Sequence, residues 1–162
     1  MSSSIKGIAK KQHIVEGASG LHVVVIHTEW NEKVVSPLVT GCVNELKEKG
    51  CTNVDVVVVP GAFELPFACK RLIAQDSSID AVVAIGCLIK GDTMHFEYIC
   101  ESVSHGLMRV GLDTNVPVIF GVLTCNTEDQ ALMRAGVIPG HHNHGPEWGS
   151  AAVTMALLGK GK

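Results

Sequence analysis

The sequence predicts a three-layer α/β domain built on a parallel sheet. Three observations predict it: four strand-length apolar runs hydrophobic on both faces, helical-period stretches between them, and a length of 162 residues, which holds one core and is too short for two ordinary domains. Apolar residues make up 46% of the chain and charged residues 18%, with a mean hydropathy of +0.28. That balance excludes disorder and points to apolar surface buried between subunits.

Residues 1–20 are polar, punctuated by Gly and Ser, and follow neither hydrophobic period. They read as an N-terminal arm, flexible unless a neighbour holds it, with order beginning at Leu21 and residues 21–162 forming the single domain. The β-branched run 21–27 is the first strand. Val34, Val35, Leu38, Val39, Cys42, Val43 and Leu46 then recur at helical spacing up to Gly50, with Pro37 marking either the helix start or a bend. The alternation continues through a strand at 54–59 stopped by Pro60-Gly61, a helix at 66–75, a strand at 81–88 and a helix at 94–110. A fourth strand covers 117–123. Thr127-Glu128-Asp129-Gln130 is a capping-box sequence opening a short helix that Gly136 can close, and the loop 137–146 leads to a last helix ending near Leu158. Right-handed crossovers between four parallel strands select a flavodoxin-like αβα arrangement.

Composition narrows the function classes. Thirteen Lys and Arg against sixteen Asp and Glu give a net charge of −3, and no basic cluster exceeds Lys10-Lys11, so a nucleic-acid footprint is missing. Six cysteines stand at long spacings inside apolar segments with no CxxC pair, as reduced core residues do. No apolar stretch reaches the roughly 20 residues of a membrane span, and the first residues carry no signal-peptide core, so a soluble cytoplasmic protein is expected.

In an open parallel sheet, ligands bind beyond the carboxyl ends of the strands, so the chemistry is expected on loops 28–31, 60–64, 89–95 and 124–127. Gly86 to Thr93 nearly spell a P-loop, but Asp92 stands where the phosphate-binding lysine belongs. What remains is a glycine turn, Gly91-Asp92-Thr93, at a helix start, suited either to a single phosphate or to plain capping by Asp92 or Thr93. His95 falls in the first turn of that helix, where the dipole disfavours imidazolium and favours a neutral proton shuttle, against the reading of an ordinary surface or core histidine. Arg134 is either a bidentate phosphate contact or a solvated surface arginine.

Trp30 lies just past the first strand, placed either to stack on a flat heterocycle or to cap the core. Glu64 could accept hydrogen bonds from a polyol or simply favour a helix N-terminus, and Phe120 is by default a core residue. His141-His142-Asn143-His144 near Glu147 matches no familiar zinc spacing and reads as a glycine-bounded polar loop. Gly-x-Ser-x-Gly, an activated cysteine and GxGxxG are all absent, which removes covalent hydrolysis and dinucleotide binding.

Taken together, His27-Thr28-Glu29-Trp30-Asn31, the run from Pro60 to Pro66, the run from Ile89 to Tyr98 and the run from Gln130 to Gly136 closely resemble the 6,7-dimethyl-8-ribityllumazine synthase family, in order over about residues 20–158. Trp30 together with Asn143-His144-Gly145 resembles its fungal members. The resemblance implies condensation of 5-amino-6-ribitylamino-2,4(1H,3H)-pyrimidinedione with 3,4-dihydroxy-2-butanone 4-phosphate, releasing phosphate and water, with no metal or organic cofactor. It implies Trp30 stacked on the pyrimidinedione, Asn31, Ala62 and Phe63 holding it, Glu64 on the ribityl hydroxyls, and Ile89 and Lys90 lining the ring site. Gly91, Asp92, Thr93 and Arg134 match the phosphate site, and His95 matches the proton-transfer histidine. His144 replaces a lysine found in many relatives. The resemblance further implies a homopentamer with Phe120 and Arg134 supplied by the adjoining subunit, and retention of riboflavin beside catalysis. A non-catalytic flavin-binding module and a purely structural pentamer are the competing expectations.

Overall fold

The computed structural model describes residues 14–158 and 160. Four parallel strands, β1 (His22–Thr28), β2 (Asn53–Val59), β3 (Ala81–Ile89) and β4 (Val118–Cys125), form one sheet in the order β2-β1-β3-β4. β1 pairs with β2 from His22↔Asn53 to Thr28↔Val59 and with β3 from Val23↔Ala81 to His27↔Ile85. The period of two sends Val23, Val25, Val83 and Ile85 to one face and Val24, Ile26, Val82 and Ala84 to the other. α1 (Glu32–Glu48), α4 (Glu128–Arg134) and α5 (Gly145–Leu157) cover the first face. α2 (Leu65–Gln75) and α3 (His95–Thr114) cover the second. Leu38, Leu46, Leu65 and Leu107 are fully buried between the layers, each stabilising by about 1.5–3 kcal/mol.

The expected alternation holds, with corrections at its margins. Pro37 lies inside α1, five residues past its first residue, so the helix begins well before the proline. Residues 14–20, expected to lack order, lie against the domain: the Val15 N–H donates to the Lys49 carbonyl at 2.9 Å and Ala18 is fully buried. The rest of the expected arm, residues 1–13, lies outside the described residues. β2 is a sheet edge whose Val56 and Val58 are half exposed, so the expectation that both faces of every strand are covered fails there.

Two features fix the ends of the sheet. At its amino end, the buried His22 reaches Asp55 Oδ2 and Ser78 Oγ, each at 2.8 Å. Its backbone N–H donates to Asp80 Oδ2 at 2.8 Å, and Lys160 pairs with the other oxygen of Asp80. On the first face α1 and α5 touch so closely that a Cβ on Gly145 would lie 2.1 Å from the Leu38 carbonyl oxygen. Asn143 ties the same corner, donating to the Pro37 carbonyl and accepting from the Gly145 N–H, both at 2.7 Å. The start of α5 and the loop before it are therefore held in one place.

Candidate active site

β1 and β3 are neighbours in the sheet, and their carboxyl-end loops diverge where the strand order reverses. The cavity there is about 630 Å³ and is lined by Thr28, Trp30, Asn31, Gly61, Ala62, Phe63, Glu64, Cys87, Leu88, Ile89, His95 and Ile99. Trp30 is 72% exposed, which removes the core-capping alternative and leaves its ring face open. Asn31 takes a left-handed φ of 60° just before α1, and its amide donates to the Cys87 carbonyl at 2.9 Å, tying the loop after β1 to β3. A Cβ on Gly61 would lie 3.1 Å from Glu64 Oε2 and 3.6 Å from Trp30 Cδ1, so the missing side chain is what lets these two groups approach. Glu64 is also the residue before α2, and both readings of it describe the same exposed carboxylate.

The loop 90–94 leads into α3. Lys90, Gly91, Asp92 and Thr93 are exposed, on the loop that continues from Ile89 at the cavity edge. The Lys90 ammonium pairs with Glu97 Oε1 at 2.8 Å, and that hydrogen bond holds the Glu97 carboxyl below its usual range. Met94 occupies the cap position, where Asp92 or Thr93 was expected. The Thr93 hydroxyl still serves the helix end, accepting from the His95 N–H at 3.3 Å. His95 is the first residue of α3 and is exposed. Among the described residues no side chain hydrogen-bonds its imidazole, so both ring nitrogens face the cleft or solvent.

A second cavity of about 690 Å³ lies along β4, lined by Phe120, Val122, Leu123, Thr124, Cys125, Gln130, Met133, Arg134, His141, His142, His144 and Trp148. Phe120 is 44% exposed. The core reading of it fails because β4 is an edge strand and none of the described residues covers that position. Half of the capping box forms: the Gln130 N–H donates to Thr127 Oγ1 at 3.2 Å, while Gln130 Oε1 accepts at 2.8 Å from the N–H of Asn126, one residue before the cap. Gly136 closes α4 with a φ of 71°, and Arg134 ends that helix. The Arg134 guanidinium lies 3.4 Å from His144 Nε2, a weak contact. His144 immediately precedes α5 and Glu147 sits in its first turn, so their side chains meet. His144 Nδ1 is 2.9 Å from Glu147 Oε2, and His142 Nε2 is 2.9 Å from Glu147 Oε1. Burial works to raise the Glu147 carboxyl, but the two imidazole hydrogen bonds outweigh it and hold the group below its usual range.

The expected site residues other than the exposed loop Lys90-Gly91-Asp92-Thr93 thus gather in two places. Trp30, Asn31, Ala62, Phe63, Glu64, Ile89 and His95 share one cavity, Phe120, Arg134 and His144 share the other, and among the described residues none lines both. Sequence reasoning passed over Gln130 and Trp148 as lining residues, treating the first only as a cap. Burial pushes the thiols of Cys42, Cys69 and Cys87 up to about 12, so none of them is a thiolate nucleophile at neutral pH.

Residues 20–160 match the family described as 6,7-dimethyl-8-ribityllumazine synthase. Relatives bearing that name include a Schizosaccharomyces pombe protein, 54% identical over 140 residues that cover 85% of this chain and 87% of the relative. A Pyricularia oryzae protein is 44% identical over 189 aligned residues, covering 94% and 93%. A Streptomyces avermitilis protein is 46% identical over 142 residues, covering 88% and 87%.

Proposed function

Since this chain belongs to the 6,7-dimethyl-8-ribityllumazine synthase family, transferases of riboflavin biosynthesis, we propose that it joins its two substrates in a cleft shared between copies of the chain. The reaction is the condensation of 5-amino-6-ribitylamino-2,4(1H,3H)-pyrimidinedione with 3,4-dihydroxy-2-butanone 4-phosphate. One observation supports the shared cleft above others: the cavity-lining site residues of a single protomer fall into two cavities with no residue in common among those described. A neighbour that brings its β4 edge against the carboxyl ends of β1 and β3 joins one half to the other. The exposed Phe120 and the half-exposed outer face of β2 fit a chain that completes its surface in a ring. We read that ring as a homopentamer, free and not part of a larger shell, working in the cytoplasm.

The pyrimidinedione brings the amine that attacks, and the butanone phosphate brings the ketone and the leaving group. The protein is left to position, transfer protons and stabilise charge, which suits a site without a thiolate. Trp30 stacks on the heterocycle, Asn31 and the Ala62-Phe63 backbone hold it, Ile89 packs beside it, and Glu64 accepts hydrogen bonds from the ribityl hydroxyls. The Gly91-Asp92-Thr93 turn offers the amino end of α3 to the phosphate, and Arg134 of the neighbouring copy supplies the guanidinium. Phe120 and His144 of that copy close the other wall.

His95 moves the protons. It takes one from the attacking amine, returns one to the hydroxyl that leaves as water when the imine forms, and serves the phosphate elimination and ring closure in the same way. The open indole of Trp30 also suits retention of riboflavin. The test is an assay of the assembled protein with both substrates, read by the fluorescence of the bicyclic product. Turnover is expected, and flavin binding without turnover by folded, assembled protein would overturn the catalytic reading.

A further inference from the structure

The loop before α5 brings two imidazoles and a carboxylate to one point. The donor atoms of His142, His144 and Glu147 all lie within 4.8 Å of one another, and the two rings stand 4.3 Å apart between centroids. Atoms bound to a common zinc ion at about 2.1 Å are spaced roughly 3.4 Å apart in a tetrahedron, so closing on a metal takes little more than about an ångström of side-chain movement. The backbone is already fixed: Asn143, between the two histidines, is pinned to the Pro37 carbonyl and the Gly145 N–H. Gly145 itself is locked against α1. A pre-set loop pays little ordering entropy on binding.

We propose that His142, His144 and Glu147 bind one borderline divalent transition-metal ion, zinc being the working case, at the edge of the cavity that holds Phe120 and Arg134. Two imidazole nitrogens with one carboxylate suit zinc, cobalt(II) or nickel(II), whereas magnesium and calcium prefer oxygen donors throughout. Three protein ligands leave at least one position open to water or an anion, and the cluster faces solvent and the cavity. Coordination at His144 Nδ1 moves the ring proton to Nε2, the atom now 3.4 Å from the Arg134 guanidinium. Two donors then face each other, so occupancy turns Arg134 away from His144.

Binding is measured on the assembled, chelator-stripped full chain by calorimetric titration with zinc chloride, and by the visible absorption of cobalt(II). One ion per chain is expected, with nitrogen and oxygen ligation. His142→Ala and the conservative Glu147→Gln should each weaken binding by at least about tenfold, the lower end of what loss of an outer-shell partner costs a metal site. His141→Ala, a neighbour outside the cluster, should bind as the parent does. Three results would overturn the proposal: equal affinity in the parent and in both ligand variants, equal loss in His141→Ala, or a cobalt–thiolate charge-transfer band assigning the metal to cysteine. Turnover is read separately, so a failure here leaves the transferase reading standing.

Discussion

Chains carrying His95→Ala and chains carrying Arg134→Ala should each be nearly inactive alone and regain activity when assembled together. His95 lines the cavity at the ends of β1 and β3 and Arg134 the one along β4. Both residues are exposed, so neither substitution removes core packing. Loss of the proton-transfer imidazole should slow turnover by roughly 10²-fold. Loss of the charge-assisted hydrogen bonds to phosphate costs about 1.5–3 kcal/mol, roughly 10- to 150-fold. If every cleft takes His95 from one copy and Arg134 from the next, random assembly of equal amounts makes about one quarter of the clefts intact, whatever the ring size. The assay is turnover after co-refolding, compared with the two variants refolded apart. Recovery to about a quarter of parental activity is expected, and a mixture no more active than the mean of its components would refute the shared cleft.

Trp30→Ala should leave the unfolding midpoint almost unchanged, because the indole is 72% exposed. The same change should weaken flavin or pyrimidinedione binding by about 0.5–1.5 kcal/mol, read by fluorescence titration. Gly145→Ala should destabilise the fold by about 1–3 kcal/mol in urea unfolding, since its Cβ would meet the Leu38 carbonyl oxygen at 2.1 Å. The thiols of Cys42, Cys69 and Cys87, raised to about 12, ionise in the unfolded chain from about pH 8.5 but not in the folded one. Their contribution is therefore whole below that pH and lost as pH rises toward 12, by up to about 1.4 kcal/mol per unit for each thiol. Denaturant titrations from pH 7 to 10 would show the fall, and replacing the three with alanine should flatten it.

The sheet and its helices were legible because β-branched runs and helical spacing alternate without interruption from Leu21 onward. The helix starts after the near-P-loop turn and at Thr127 are local signals, and both helices begin within two residues of where those signals put them. Most of what escaped depended on neighbours far along the chain. Phe120 has the sequence surroundings of a core strand, and only the strand order shows that it sits on an edge. Lys90 pairs with Glu97 in the first turn of α3, across the glycine turn, a local contact that carries no sequence period. The contact of Ala18 and Val15 with the domain is made by single residues without a period, so no pattern announces it. His142, His144 and Glu147 were visible as residue types, but their convergence comes from Asn143 and Gly145 anchoring the loop to α1.

The polar clasp of His22 with Asp55, Ser78 and Asp80 closes the amino end of the sheet, at the opposite end of the strands from the cavity that His95 lines. Part of the chain's durability is therefore written at the pole opposite the His95 cavity. Selection for a hotter or more acidic habitat can rework the clasp while the catalytic rim drifts on its own account, and variants sampled across habitats should differ at one pole without differing at the other.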